Sequence, residues 1–179
     1  MAGLGMTLQT PKVLIEPELD PENENGHILT ELDETDERFK EIDIDFKNAG
    51  MKVLKLEMLQ NNHLWKRYAT ERNLILEQRE KIDSGFKLNE RYLYHGTSAK
   101  KSYICDEGLD SRMSKEGCFG KGIYFSDFPK KCIKYAKKGK GEDSHILLVR
   151  VILGEAKLVQ QLLYEVGWFP DAILRNLDS

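Results

Sequence analysis

Tyr92-Leu93-Tyr94-His95-Gly96-Thr97 and, twenty residues later, Gly117-Cys118-Phe119-Gly120-Lys121-Gly122-Ile123-Tyr124-Phe125-Ser126 are the stretches whose reading decides the fold. The first is short, aromatic and alternating, which predicts a strand over Arg91–His95. Gly96 follows at once. With no Cβ in the way, another group can approach the backbone there, and the Gly96 N–H and C=O can pair with an amide. The second stretch places three glycines before Ile123-Tyr124-Phe125, which predicts a second short strand. Between the two, Ser98 is positioned to cap a helix through about Cys105 and Gly108 to end it. Beyond Ser126, Asp127 is positioned to cap a further helix that tolerates Pro129 in its first turn. Cys132 and Tyr135 lie three apart on that helix and are expected to share a face.

Two strands and a helix thus each deliver a polar aromatic residue: His95, Tyr124 and Tyr135. Two tyrosines can sandwich a flat ring, while a glycine backbone grips a carboxamide at its edge. Nicotinamide has that shape and chemistry. The competing reading is that these aromatics are ordinary core.

The remaining chain is read around this centre. At 179 residues it suffices for one domain with a buried core. A net charge of −3 excludes a general attraction to nucleic acid. Three cysteines, Cys105, Cys118 and Cys132, contain no Cys-x-x-Cys pair. That argues against a disulfide framework or a zinc site and for a reducing compartment, cytoplasm or nucleus. No apolar run reaches membrane-spanning length, and no signal-peptide pattern opens the chain. Residues 1–40 hold ten acidic residues against three basic ones, with Phe39 as their one aromatic. They read as a largely disordered acidic leader, either a linker or a partner-binding tail.

Lys52–Met58 alternates as a half-exposed strand, and Asn62 is placed to cap a helix carrying Leu64, Trp65, Tyr68, Arg72, Ile75 and Leu76 toward the sheet. Trp65 and Tyr68 are expected in the core rather than on a ligand, with His63 in solvent. Asp83-Ser84-Gly85 ends that helix. Lys130, Lys131, Lys134, Lys137, Lys138 and Lys140 form a basic run around Tyr135. It is either a solvated helix face or an attraction for a pyrophosphate or an acidic acceptor. His145–Leu153 is the strongest strand and is expected to be central, with Gly154 ending it.

Tyr94-His95-Gly96-Thr97, Gly108-Leu109-Asp110-Ser111-Arg112, Gly120-Lys121-Gly122-Ile123-Tyr124-Phe125-Ser126-Asp127 and Tyr135-Ala136 together resemble the catalytic domain of the poly(ADP-ribose) polymerase family, the diphtheria-toxin-like ADP-ribosyltransferases. The likeness reaches upstream through Leu54–Asn61 and Leu64–Tyr68 and covers about residues 46 to 156. Several motifs in the right order make it specific. In style the chain is similar to the mono-ADP-ribosylating and tankyrase-like branches.

The resemblance implies an α+β fold with a split, mostly antiparallel β-sheet and flanking helices over residues 41–179, and NAD+ as substrate, with no metal. His95 would bond the adenosine ribose and Gly96 the nicotinamide carboxamide. Thr97 would contact the adenosine side and Arg112 the adenine end. Tyr124 would support the nicotinamide ribose, and Tyr135 would stack on the nicotinamide ring. Cys132 stands where many relatives have a serine that bonds the carboxamide, and a thiol is the weaker donor. His95 and Tyr124 are thereby the candidate catalytic pair.

From Lys157 onward the likeness ends, and the C-terminus reads as truncated relative to the family. The third catalytic motif is not recognisable, and Glu165 fits it poorly. Polymer growth needs a carboxylate there, so single-unit transfer to a protein acceptor is expected. The alternative is a silent NAD- or ADP-ribose-binding module, or scaffold, of the same fold.

Overall fold

The computed structural model describes residues 17, 26–117, 119–136 and 144–154. In chain order these form β1 (Ile28–Glu31), α1 (Glu37–Asn48), β2 (Glu57–Gln60), α2 (Asn62–Glu80), β3 (Glu90–Gly96), α3 (Lys101–Glu107), a single 3-10 turn (Ser111–Met113), β4 (Glu116–Gly117), β5 (Gly120–Lys121), α4 (Pro129–Ala136) and β6 (Ile146–Ile152). The class is α+β, and every described strand pair is antiparallel: β1 with β2, β3 with β6, and β4 with β5.

β3 is the spine. Its seven residues pair with β6 from Glu90 opposite Ile152 to Gly96 opposite Ile146. On its other side Tyr94 exchanges both backbone hydrogen bonds with Ser126, at 2.8 and 2.9 Å. Leu93, Tyr94, Cys132, Ala136 and Leu153 are buried, so the core lies where α4 crosses β3. Pro129 opens α4 and is fully buried, and its missing N–H costs nothing in a first turn.

Several sequence expectations are corrected here. Ordered structure begins well before residue 41, because β1 and the first turn of α1 fall within the stretch read as a disordered leader. The acidic residues there have local work: the Asp36 carboxylate caps α1 by accepting the Arg38 N–H at 2.8 Å. The strand expected from Lys52 starts only at Glu57. Its partner β1 is four residues long, so Leu54 finds no neighbour and stands 71% exposed.

Capping assignments shift as well. Asn61, not Asn62, caps α2, accepting the Leu64 N–H at 3.0 Å while its own amide donates to the Cys105 carbonyl at 2.8 Å. Ser98 caps nothing among the described contacts. α3 starts at Lys101, and the hydroxyl that turns the chain before it is Thr97, which accepts the Ala99 N–H. Gly108 does end α3, with φ of 80°. Ile123–Phe125 is not a strand, and only Ser126 is bridged. Asp127 lies outside α4 and faces Arg91 at 3.6 Å.

α2 meets the sheet less by aliphatic packing than through long side chains. Trp65 stacks on Tyr68 at 5.6 Å, and the Arg150 guanidinium lies 5.2 and 5.8 Å from their rings. The Tyr68 hydroxyl donates to Glu90 at 2.5 Å, with Arg150 and Arg72 on the same carboxylate at 2.7 and 3.2 Å. These aromatics are therefore structural, as expected, and His63 is exposed. β6 is only half-buried along its length rather than enclosed, since β3 is its one described neighbour. Glu165 and the lysines at 137, 138 and 140 lie outside the described residues.

Candidate active site

The C-terminal end of β3 brings the separated motifs together. β3 is covered on both faces at its middle, where the consecutive Leu93 and Tyr94 are both buried, and His95 is half-buried toward the strand's end. His95 Nδ1 lies 2.8 Å from the Tyr124 carbonyl. A carbonyl only accepts, so this contact assigns the proton to Nδ1 and leaves the Nε2 lone pair free to accept. Burial pushes the imidazole below the usual histidine range, and the Tyr124 bond only partly offsets it, which favours the neutral ring. The Phe125 ring lies against His95 at 5.5 Å.

Gly96 is required by packing as much as by any ligand. A Cβ there would lie 2.0 Å from the Cys132 carbonyl oxygen, so β3 and α4 touch backbone to backbone. The Cys132 thiol is 4% exposed, and desolvation raises its pKa to about 11, with the Gly96 N–H pulling the other way. It is a neutral S–H under ordinary conditions, 3.9 Å from the Phe128 carbonyl.

Tyr124 holds the glycine loop in shape. Its hydroxyl donates to the Gly120 carbonyl at 2.5 Å and accepts the Phe119 N–H at 3.2 Å. A Cβ at Gly117 would sit 2.6 Å from that oxygen, and Gly120 needs φ of 92°, so both positions demand glycine.

Tyr135 does not share the face of Cys132. Three residues along a helix is 60° short of a full turn, and the edge of the buried face falls between them. Cys132 and Ala136 are buried while Tyr135 is 57% exposed, with the Lys134 ammonium 4.9 Å from its ring. Lys130 and Lys134 are exposed, and Lys131 is half-buried. Arg112 lies farther off, on the 3-10 turn, in a shallow open cleft lined by Ser111, Ser114, Lys121 and Gly122. Asp110 caps that turn and holds the guanidinium at 2.7 to 3.0 Å, lifting its pKa further. Lys121 and Gly122 connect this cleft to Tyr124 along the chain. Thr97 follows Gly96 with its hydroxyl engaged in the local turn.

So His95, Gly96, Tyr124 and Cys132 are brought into one cluster. Thr97 and Tyr135 border it on β3 and α4, and Arg112 marks a separate cationic cleft. Asp45 was missed by sequence reading. It is buried on α1, and the Tyr94 hydroxyl donates to it at 2.6 Å. The available signal was an acid at a core position, three after Ile42 and beside Phe46, on an otherwise apolar helix stripe. Among the described residues no group of three or more His, Cys, Asp or Glu is placed to hold a metal ion. Nor is any described helix long and apolar enough to cross a membrane.

Comparison with known proteins gives the chain's relatives. Mouse protein mono-ADP-ribosyltransferase PARP12 is 34% identical over 107 residues, 58% of this chain and 14% of the relative. The human protein of the same name is 33% identical over 106 residues, again 58% and 14%. The chain thus spans about one seventh of the length of these curated relatives. The family profile described as the poly(ADP-ribose) polymerase catalytic domain matches residues 31–165, wider than the 46 to 156 read from motifs and taking in all of α1. On that match, over most of its length, the chain belongs to the poly(ADP-ribose) polymerase catalytic-domain family.

Proposed function

We propose that this chain binds NAD+ as a substrate, breaks its nicotinamide–ribose bond and transfers a single ADP-ribose to a protein acceptor. The observation that carries the reading is the contact of His95 Nδ1 with the Tyr124 carbonyl, which locks two motifs 29 residues apart into one cluster. His95 then offers Nε2 as a fixed acceptor for a ribose hydroxyl. The Gly96 backbone takes the carboxamide, beside a Cys132 thiol that is a weak donor. Tyr135 offers an exposed ring for stacking, Tyr124 shapes the floor beneath the ribose, and Thr97 borders the adenosine side. Arg112 and Lys121 supply positive charge for the adenine and pyrophosphate end.

As the glycosidic bond breaks, its electron pair leaves with nicotinamide and positive charge develops on the ribose. The acceptor's nucleophile forms the new bond at that carbon and gives its proton to solvent. The site's task is to hold both rings in place and keep water away from the cation. Single-unit transfer is supported by the names of the PARP12 relatives. A reducing cytoplasmic or nuclear setting accords with the free, buried thiols of Cys105 and Cys132.

A second reading, a module that binds NAD+ without turning it over, is favoured by one observation: Cys132 crowds the Gly96 backbone. Intact mass after incubation with NAD+, beside calorimetric NAD+ binding, separates the two. Tyr135→Ala is the control, because its exposure leaves the fold untouched. One ADP-ribose increment that is lost in the control supports the transferase. Binding with no increment supports the silent module. Increments of two or more units on one site overturn single-unit transfer.

A further inference from the structure

The helix α1, whose first turn sequence reading placed in a disordered leader, reaches the centre of the site. α1 carries Phe39, Ile42 and Asp45 into the core, and Phe46 meets the Tyr94 ring edge-on at 5.8 Å. Asp45 is 8% exposed and Tyr94 2%. Burying a carboxylate is costly unless it is hydrogen-bonded, and the Tyr94 hydroxyl supplies that bond at 2.6 Å. Tyr94 is a junction. Its side chain is held by α1, and its N–H and C=O are both held by Ser126. His95 is the next residue on β3, and Tyr124, whose carbonyl orients the imidazole, is two residues before Ser126. The two backbone bonds to Ser126 set how far β3 stands from the 124–126 segment, and the Asp45 bond holds the side chain of that same residue against α1. A one-ångström slip at that spacing would break the His95–Tyr124 contact and free the ring to exchange tautomers.

We infer that Asp45 is a positioning residue: through Tyr94 it fixes His95 as the Nδ1–H tautomer, with Nε2 presented to the ribose of the nucleotide. This rests on the NAD+ reading for its consequence but not for its structural readout. A purely structural bond would affect stability alone. A positioning bond also affects the protonation pattern of a ring that neither Asp45 nor the Tyr94 hydroxyl touches.

The test reads the imidazole nitrogen shifts of His95 by 15N NMR, with NAD+ affinity and thermal unfolding measured on the same samples. Three variants are compared with the parent chain: Asp45→Asn, Tyr94→Phe, and the double variant Asp45→Leu with Tyr94→Phe. The double variant removes both partners together and so avoids an orphaned buried charge. The parent is expected to show one tautomer with the proton on Nδ1. Asp45→Asn keeps an acceptor for Tyr94 and should keep that pattern, with affinity within about twofold. Tyr94→Phe and the double variant should show averaged nitrogen shifts and bind NAD+ about tenfold more weakly while folded. If both retain the parent's shifts and affinity, with or without a lower unfolding temperature, Asp45 has no positioning role. If the parent itself binds no NAD+, the proposed function fails, and the nitrogen shifts alone still decide the inference.

Discussion

The two ends of β3 handle polar groups in opposite ways. At the Glu90 end the buried carboxylate is answered, although Nε of the following residue, Arg91, is buried without a hydrogen-bond partner. The carboxylate is 4% exposed and takes Arg150, Tyr68 and Arg72, and Arg150, itself 9% exposed, is covered by the rings of Trp65 and Tyr68. At the Gly96 end groups are left available. His95 keeps a lone pair and Tyr135 turns its ring to solvent, while Gly96 packs its backbone against that of Cys132. One end closes the sheet against α2, and the other presents an imidazole and an exposed ring beside the glycine loop. A strand can do both because its seven residues separate the two ends by roughly 20 Å, so strain or charge at one need not disturb the other.

Removing the anchor at the closed end should have the largest effect. Glu90→Ala leaves Arg150 buried without its carboxylate and is expected to cost about 3–5 kcal/mol in denaturant unfolding. A loss below about 1 kcal/mol would show that the closed end is not the anchor described here. The same group sets an acid limit. Burial alone would raise the Glu90 pKa, but the bonds from Arg150, Tyr68 and Arg72 outweigh it and hold it below the usual range. Its contribution is thus full above the unfolded value of about 4.3 and is lost as pH falls through the lower folded value. In Glu90→Gln that part of the acid transition should flatten.

At the open end Gly96→Ala comes next. Its Cβ would meet the Cys132 backbone at 2.0 Å, so β3 and α4 must part, at about 3 kcal/mol. NAD+ affinity should fall with it, whereas Glu90→Ala should leave the affinity of the folded chain near that of the parent. Equal effects of both substitutions on affinity would erase the distinction between the ends. Tyr124→Phe is milder. It removes the hydroxyl from the Gly120 carbonyl and the Phe119 N–H, costing about 1 kcal/mol, and amide exchange should accelerate at Phe119 before anywhere in β3. The smallest effect belongs to Cys132→Ser, which replaces a weak donor with a stronger one beside Gly96. A gain in NAD+ affinity of about 1 kcal/mol is expected, and titration calorimetry that finds no gain would remove Cys132 from the ligand's surroundings.

Much of the open end was legible in the residues. His95-Gly96 after an alternating aromatic run and three glycines before Tyr124 are local signals, and the family match agrees with them. The closed end was half legible: Trp65 and Tyr68 at helical spacing announced a packed face. Their ionic partner did not appear, because Glu90 and Arg150 lie sixty residues apart and meet only through the β3–β6 register. The first turn of α1 was misread as part of a disordered leader because the acidic composition before residue 41 was weighed above Phe39, which opens the buried stripe that Ile42 continues.

Local chemistry was therefore enough to determine which residues turn and where elements begin and end, since such signals act over a few residues: Gly108 at positive φ, Pro129 opening α4, the strand through Arg91 to His95. The long-range contacts belonged to the folded state alone. Gly96 is glycine because of the Cys132 backbone, His95 is oriented by the Tyr124 carbonyl, and Asp45 reaches Tyr94 from 49 residues earlier in the chain. Each of those depends on how elements pack across distance, and no window along the chain contains both partners.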